Sequence, residues 1–222
     1  MLIKFTLCLL VCSSLSDTLR AQRYRYLSTT DGHSHEVLVT KEENATGQTL
    51  LTLKEYKRYS QHVFHPKWGT ERWELRDEKL GHDFVAQRTD DVIRIRGTFQ
   101  HEPVQKEVDI GNAIWYNKLD HGLSDFAISN RATHSFEALR LLDDLDLIGM
   151  DAERIGPERI TLGGQSYEAI KVKLTLNHFL LSKLWSAYCW FRASDGLFLR
   201  YQGANGKPGT PETVIELQSS LP

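Results

Sequence analysis

Hydrophobic and polar residues alternate one for one along much of the chain. In VIRIRGTF, residues 92–99, Ile93, Ile95, Gly97 and Phe99 share one face, and Arg94, Arg96 and Thr98 the other. Trp73 and Leu75 alternate with Arg72, Glu74 and Arg76 in the same way. Ile170, Val172, Leu174 and Leu176 alternate with Lys171, Lys173 and Thr175. A period of two with one apolar and one wetted face predicts antiparallel strands. Turn signals separate the runs: Thr30-Asp31-Gly32, Asn44-Ala45-Thr46-Gly47, Gly163-Gly164 and Asp195-Gly196. The pattern predicts an all-β meander, a curved antiparallel sheet forming a half-barrel or open barrel.

Two stretches depart from the alternation. Residues 135–149, SFEALRLLDDLDLIG, fit helical spacing through Ala138, Leu141, Leu142, Leu145 and Ile148. Asp at several interior positions weakens a helix, so a strand from Phe136 to Leu141 with a turn at Asp143-Asp144 is the preferred reading. A short helix is expected upstream, around residues 115–128. At most one or two short helices are therefore predicted. GANGKPGTPE, residues 203–212, reads as a constrained loop between the last two strands.

Residues 184–203, LWSAYCWFRASDGLFLRYQG, crowd rings around one cysteine. A two-residue turn at Asp195-Gly196 would pair Trp190 with Tyr201, Phe191 with Arg200 and Arg192 with Leu199. Both faces of such a hairpin are apolar, so both must be covered, or one must hold a guest. Trp185, Tyr188, Trp190, Phe191 and Tyr201 are the candidate ligand-binding residues on this reading.

The N-terminus bears on location. Lys4 precedes an apolar run from Phe5 to Cys12 and small polar residues follow. This is the layout of a signal peptide, residues 1–16, ahead of a single β domain over 17–222. Cleavage after Ser16, with Ser14 at the other recognition position, fits better than cleavage after Ala21. A lipobox reading of Leu9-Leu10-Val11-Cys12 is the rival, although Val11 is bulky for it. The expected location is exported, in the periplasm or at the cell surface. No stretch approaches the roughly 20 apolar residues of a membrane helix. The formal charge is −2, and loss of residues 1–16, which hold only Lys4, makes it −3. Near-neutrality argues against non-specific nucleic-acid binding. Cys189 is the one cysteine after residue 16; it predicts no internal disulfide and reads as a small buried hydrophobe.

Catalytic signals are weak. His33 and His35 lie two apart on a strand, and His62 and His65 three apart before Pro66. Neither pair has a third ligand at a telling distance, so no metal or cofactor is expected. Gly164-Gln165-Ser166-Tyr167-Glu168 starts like a nucleophile elbow but lacks its last glycine and follows a hairpin turn. Asp143, Asp144 and Asp146 read as a solvated turn.

Residues 158–169, with their Gly163-Gly164-Gln165 turn, lead into a strand. Trp185-Ser186-Ala187-Tyr188-Cys189-Trp190-Phe191, Asp195-Gly196, Arg200-Tyr201-Gln202-Gly203 and Gly206-Lys207-Pro208-Gly209-Thr210-Pro211 follow. Over roughly residues 150–217 this resembles a group of exported bacterial proteins known as a domain of unknown function, itself distantly similar to half-barrel carriers of the lipoprotein-localisation type. The resemblance implies a strongly curved sheet, an envelope address and a concave apolar face, and carries no catalytic residues. Three functions follow in order. The first is a non-enzymatic envelope protein binding a lipid or other apolar small molecule. The second is a structural protein with an envelope protein partner. The third is a hydrolase with dispersed acidic or histidine residues, including His33 and His35.

Overall fold

In the computed structural model, the described residues are 21–141, 144–177, 185–204, 206 and 209–221. The expected signal peptide, with Cys8 and Cys12, lies outside them, as do Leu142, Asp143, Asn205, Lys207 and Pro208 of the two irregular stretches.

Eight strands come first: β1 (Gln22–Thr30), β2 (His33–Glu43), β3 (Thr49–Glu55), β4 (Arg58–His65), β5 (Gly69–Asp77), β6 (His82–Thr89), β7 (Val92–Phe99) and β8 (Glu102–Asp109). Two short helices follow, α1 (Leu119–Gly122) and α2 (Ser124–Ile128). Six more strands complete the chain: β9 (Thr133–Leu139), β10 (Leu147–Leu162), β11 (Gln165–Leu176), β12 (Ser186–Arg192), β13 (Phe198–Ala204) and β14 (Glu212–Leu221). All fourteen form one antiparallel sheet in the order β8-β7-β6-β5-β4-β3-β2-β1-β14-β13-β12-β11-β10-β9. It is a curved, open, all-β sheet, as the alternation predicts.

Each alternating run buries its apolar face. Ile93 and Ile95 are fully buried, as are Val172 and Leu174, while Arg94 pairs across the wetted face with Glu107 at 2.9 Å. The Asp31-Gly32 and Gly163-Gly164 turns both have positive φ at both positions, the geometry whose twist suits two-residue hairpins. Strand β9 takes residues 133–139, so the first ambiguous stretch begins as strand rather than helix, although the strand ends at Leu139 instead of Leu141. Asp143 of the expected turn lies outside the described residues; the helices fall within 115–128, as expected.

Residues 110–128, between β8 and β9, lie inside the curl. Trp115 forms bridges to Gly69 of β5 on one side and Glu137 of β9 on the other, while α1 and α2 pack on β11, β12 and β13. A segment that touches both halves of one sheet defines its concave face. Arg88 fixes the start of this segment: its guanidinium donates to the carbonyls of Asp90, Gly111 and Ala113 at 2.8, 2.8 and 2.6 Å. Two cores result. One gathers Leu123, Phe126 and Ala127 against the inward residues of β1–β4 and β9–β14. The other packs Trp115, Ile110 and Leu139 against Trp73, Leu75, Phe84, Ile93 and Ile95.

Candidate functional site

The hairpin of β12 and β13 differs from the two-residue turn expected at Asp195-Gly196. Arg192 donates its amide to the carbonyl of Leu197 at 2.7 Å, which leaves a four-residue loop. A bulge at Trp190/Phe191 accompanies it, and the observed partners are Cys189 with Tyr201, Trp190 with Arg200 and Phe191 with Phe198. The partner of Trp190 is thus displaced by one residue and, past the bulge, that of Phe191 by two, which changes which rings share a face.

The five candidate rings divide between two faces. Tyr188 and Trp190 lie opposite Lys173 and Lys171. Trp190, 4% exposed, sits under the Lys171 ammonium and the Arg200 guanidinium, 4.9 and 5.3 Å from its ring. The long stems of those cations cover it, a use of snorkelling side chains and cation–π contact together. Phe191 and Tyr201 share the other, concave face with Cys189. Phe191 is fully buried, its ring 6.0 Å from that of Phe198. Trp185 and Tyr201 both donate to the carbonyl of Ala204, at 3.1 and 2.9 Å, so their polar tips are spent within the chain.

A cleft of about 250 Å³ opens elsewhere on the concave face, between β1–β4 and the α1–α2 segment. Its apolar surface comes from Tyr26, Val39, Leu51, Phe64 and Phe198, and its polar residues include Lys41, Asp120, His121, Ser124, Asp125 and Asp195. The five candidate rings of β12 and β13 do not border it; Phe198 is their link to it, through Phe191. Cross-strand register builds the wall. Gln22, Lys41, Leu51 and His62 stand in one row, and Tyr24 and Val39 in the next. Tyr26 closes one corner by donating its hydroxyl to the carbonyl of Phe198 at 3.0 Å. The ring of His121 meets that of Phe64 edge-on at 4.7 Å.

Burial sets the protonation of the groups around the cleft. Desolvation first, then the positive charge of Lys41, lowers the imidazole of His121 to about 3. Desolvation likewise holds His62 well below its ordinary value, with Lys118 and His121 adding to the effect. The Cys189 thiol, 1% exposed, is pushed far up by desolvation and stays neutral. Such a thiol is a poor nucleophile, and such imidazoles are poor bases at neutral pH. His33 and His35 are exposed, with His35 Nε2 3.6 Å from Glu55. No cluster of three metal-ligating side chains occurs among the described residues.

No family model matches the chain, and no curated protein sequence matches it. Among solved structures it is similar to the β-barrel-like protein of domain of unknown function DUF1849 from Brucella abortus. The TM-score is 0.58 and the identity 8%, over 91% of this chain and 98% of that one. The hypothetical lipoprotein YmcC from Escherichia coli aligns with a TM-score of 0.42 and 10% identity, over 90% and 85% of the two chains. MucB in the Pseudomonas aeruginosa MucA/MucB complex gives 0.39 and 9%, over 91% and 52%. At these identities the DUF1849 likeness establishes the fold, in keeping with the distant resemblance that the block from Trp185 to Pro211 implies. No helix among the described residues is long and apolar enough to cross a membrane.

Proposed function

We propose that this chain is an exported, non-enzymatic binding protein that takes a small apolar or amphipathic molecule in the cleft between β1–β4 and α1–α2. The observation that carries the reading is the cleft wall: apolar side chains from Tyr26, Val39, Leu51, Phe64 and Phe198 border open space with polar groups beside them. A mixed lining of this kind, more polar than apolar at its accessible surface, suits an amphipathic guest, whose chain lies on the apolar base while its head meets polar groups. The cleft lies a little below the usual range of about 300–1,000 Å³, which favours a slender guest such as a single alkyl chain. Phe191 and Tyr201 serve as the wall behind it, with Phe191 buttressing Phe198; Trp185, Tyr188 and Trp190 hold the hairpin that presents them. The protonation states of Cys189, His62 and His121 support binding over hydrolysis. The free edge strand β8 carries Pro103 with exposed Glu102, Glu107 and Asp109, features that disfavour strand addition by a partner protein.

The test is binding of decanol to the purified chain, read by calorimetry, together with native mass spectrometry for a co-purifying ligand. Thr49 borders the cleft and is half-buried, so Thr49→Trp fills the space from its rim. Saturable binding that disappears in Thr49→Trp, with the melting temperature little changed, is the expected result. Absence of both decanol binding and a co-purifying mass overturns the reading, as does unchanged binding in the filled variant.

A further inference from the structure

Lys41 interrupts an apolar row. Val37, Val39 and Lys41 point to the same side of β2, the side that packs inward; the two valines are buried and Lys41 is half-buried. Its cross-strand neighbours are Gln22 and Leu51, and all three border the cleft. A lysine placed in phase with core valines carries its charge over apolar surface, at a cost unless something offsets it.

The neighbouring carboxylates do not neutralise it. Asp120 accepts from Lys118, with 3.0 Å between the charged atoms, and Asp195 is held by Arg192 at 2.8 Å. Glu43 and Asp125 are exposed at the rim. Among the described residues, no carboxylate lies within ion-pair distance of the Lys41 ammonium, whereas Lys118 and Arg192 both have one. The field of Lys41 nonetheless reaches into the cleft: it acts on both His121 and Asp195. His121, which could have shared the positive role, is neutral. The hydroxyl-bearing Ser124 faces the same space from α2. The cleft thus has a largely polar lining, a small apolar base at Val39, Leu51 and Phe64, and one half-buried cation without a counter-ion at ion-pair distance.

We infer that the cleft selects a single-chain amphiphile with an anionic head, its chain against Val39, Leu51 and Phe64 and its head on the Lys41 ammonium. The inference rests on the binding function proposed above and adds the charge of the ligand. A carboxylate, a sulfate or a phosphate monoester shares the required chemistry. A charge-assisted contact of this kind contributes about tenfold or more in affinity over an uncharged head.

The experiment compares decanoate, decyl sulfate, decanol and decyltrimethylammonium on the intact chain, with each affinity measured by calorimetry. A second series uses Lys41→Met, which keeps the stem and removes the charge. The expected order places decanoate or decyl sulfate about tenfold tighter than decanol, with the cationic amphiphile weakest. In Lys41→Met the anionic preference disappears, the affinities for decanoate or decyl sulfate falling to that for decanol measured on the same variant. Whichever anion binds tighter identifies the head. Equal affinity across all heads, or an anionic preference that survives Lys41→Met, overturns the inference while leaving the binding function standing. Tighter binding of decyltrimethylammonium overturns it as well. No binding by any of the four overturns both.

Discussion

The amide of Thr70 donates to the carbonyl of Trp115 at 2.6 Å, although Thr70 is the second residue of the fifth strand and Trp115 lies beyond the eighth. Tyr116 continues the link on the other side by donating to the carbonyl of Glu137 at 2.9 Å. One short segment thereby ties the middle of the sheet to its β9 edge, and Asn117 secures it. Asn117 Oδ1 accepts from the Trp115 indole and from the Leu139 amide, the latter at 2.8 Å, while its Nδ2 donates to the Leu139 carbonyl at 3.2 Å. Asn117→Ala strands the indole N–H of a fully buried tryptophan and the Leu139 amide. The expected loss is about 3 kcal/mol, the sum of two buried donors left unpaired. Urea unfolding measures it, and a loss below about 1 kcal/mol would show that the segment is held by packing alone.

Acidification should destabilise the fold through its desolvated histidines. His62, His121 and His134 are all lowered, in each case chiefly by desolvation. A lowered imidazole stays neutral in the fold, while the unfolded chain protonates near its ordinary 6.5. The unfolded state then binds more protons below that value, so stability falls as the pH drops from about 6.5 toward 3. For His121 alone, the loss between pH 7.5 and 5 is up to about 2 kcal/mol. Denaturant midpoints of the wild type and of His121→Asn at the two pH values provide the measurement. The pH-dependent loss should shrink in the variant, and an unchanged loss would remove His121 from the account.

Cys189 answers to its surroundings in a similar way. Its partners across the sheet are Val172 and Tyr201, and its thiol is both buried and pushed up in pKa. Native protein should therefore resist a thiol-specific disulfide reagent and react fully once denatured. Rapid native labelling would mean that the β12–β13 hairpin opens on the timescale of the assay. Cys189→Ser should cost about 1–3 kcal/mol, because it buries a hydroxyl among apolar neighbours.

The strands were legible in the sequence because one face of each is wetted, which preserves the alternation of Ile93 and Ile95 with Arg94 and Arg96. The pairing of β12 with β13 was not. Both of its faces are apolar, so alternation gives no register, and the bulge beside Phe191 is decided by tertiary packing. The cleft was hidden for a related reason: Tyr26, Val39, Leu51 and Phe64 read as ordinary core positions, and only the sheet's curvature turns them toward open space. One signal was available. Lys41 follows Val37 and Val39 at a spacing of two, which marks a charge on the inward face. Segment 110–117 carries no period at all, because it turns at Gly111-Asn112 and then bridges two strands at Trp115 alone.

The loop that displaced the hairpin register can be tested at one position. Gly196 has φ +70°, and a Cβ there would come within 2.9 Å of the Ser124 carbonyl oxygen at the start of α2. Gly164, in the β10–β11 turn, has φ +81° but nothing within 4 Å of such a Cβ. Alanine at either site incurs the cost of left-handed backbone, about 1 kcal/mol. At Gly196 it also collides with a backbone oxygen that cannot swing aside as a flexible side chain would. Gly196→Ala should therefore destabilise more than Gly164→Ala by at least about 1 kcal/mol. Because Gly196 and Ser124 both border the cleft, it should also weaken decanol binding, whereas Gly164→Ala leaves binding unchanged. Equal effects of the two substitutions on stability and binding would mean that α2 does not rest on the β12–β13 loop in solution, and that this wall of the cleft is set by the sheet alone.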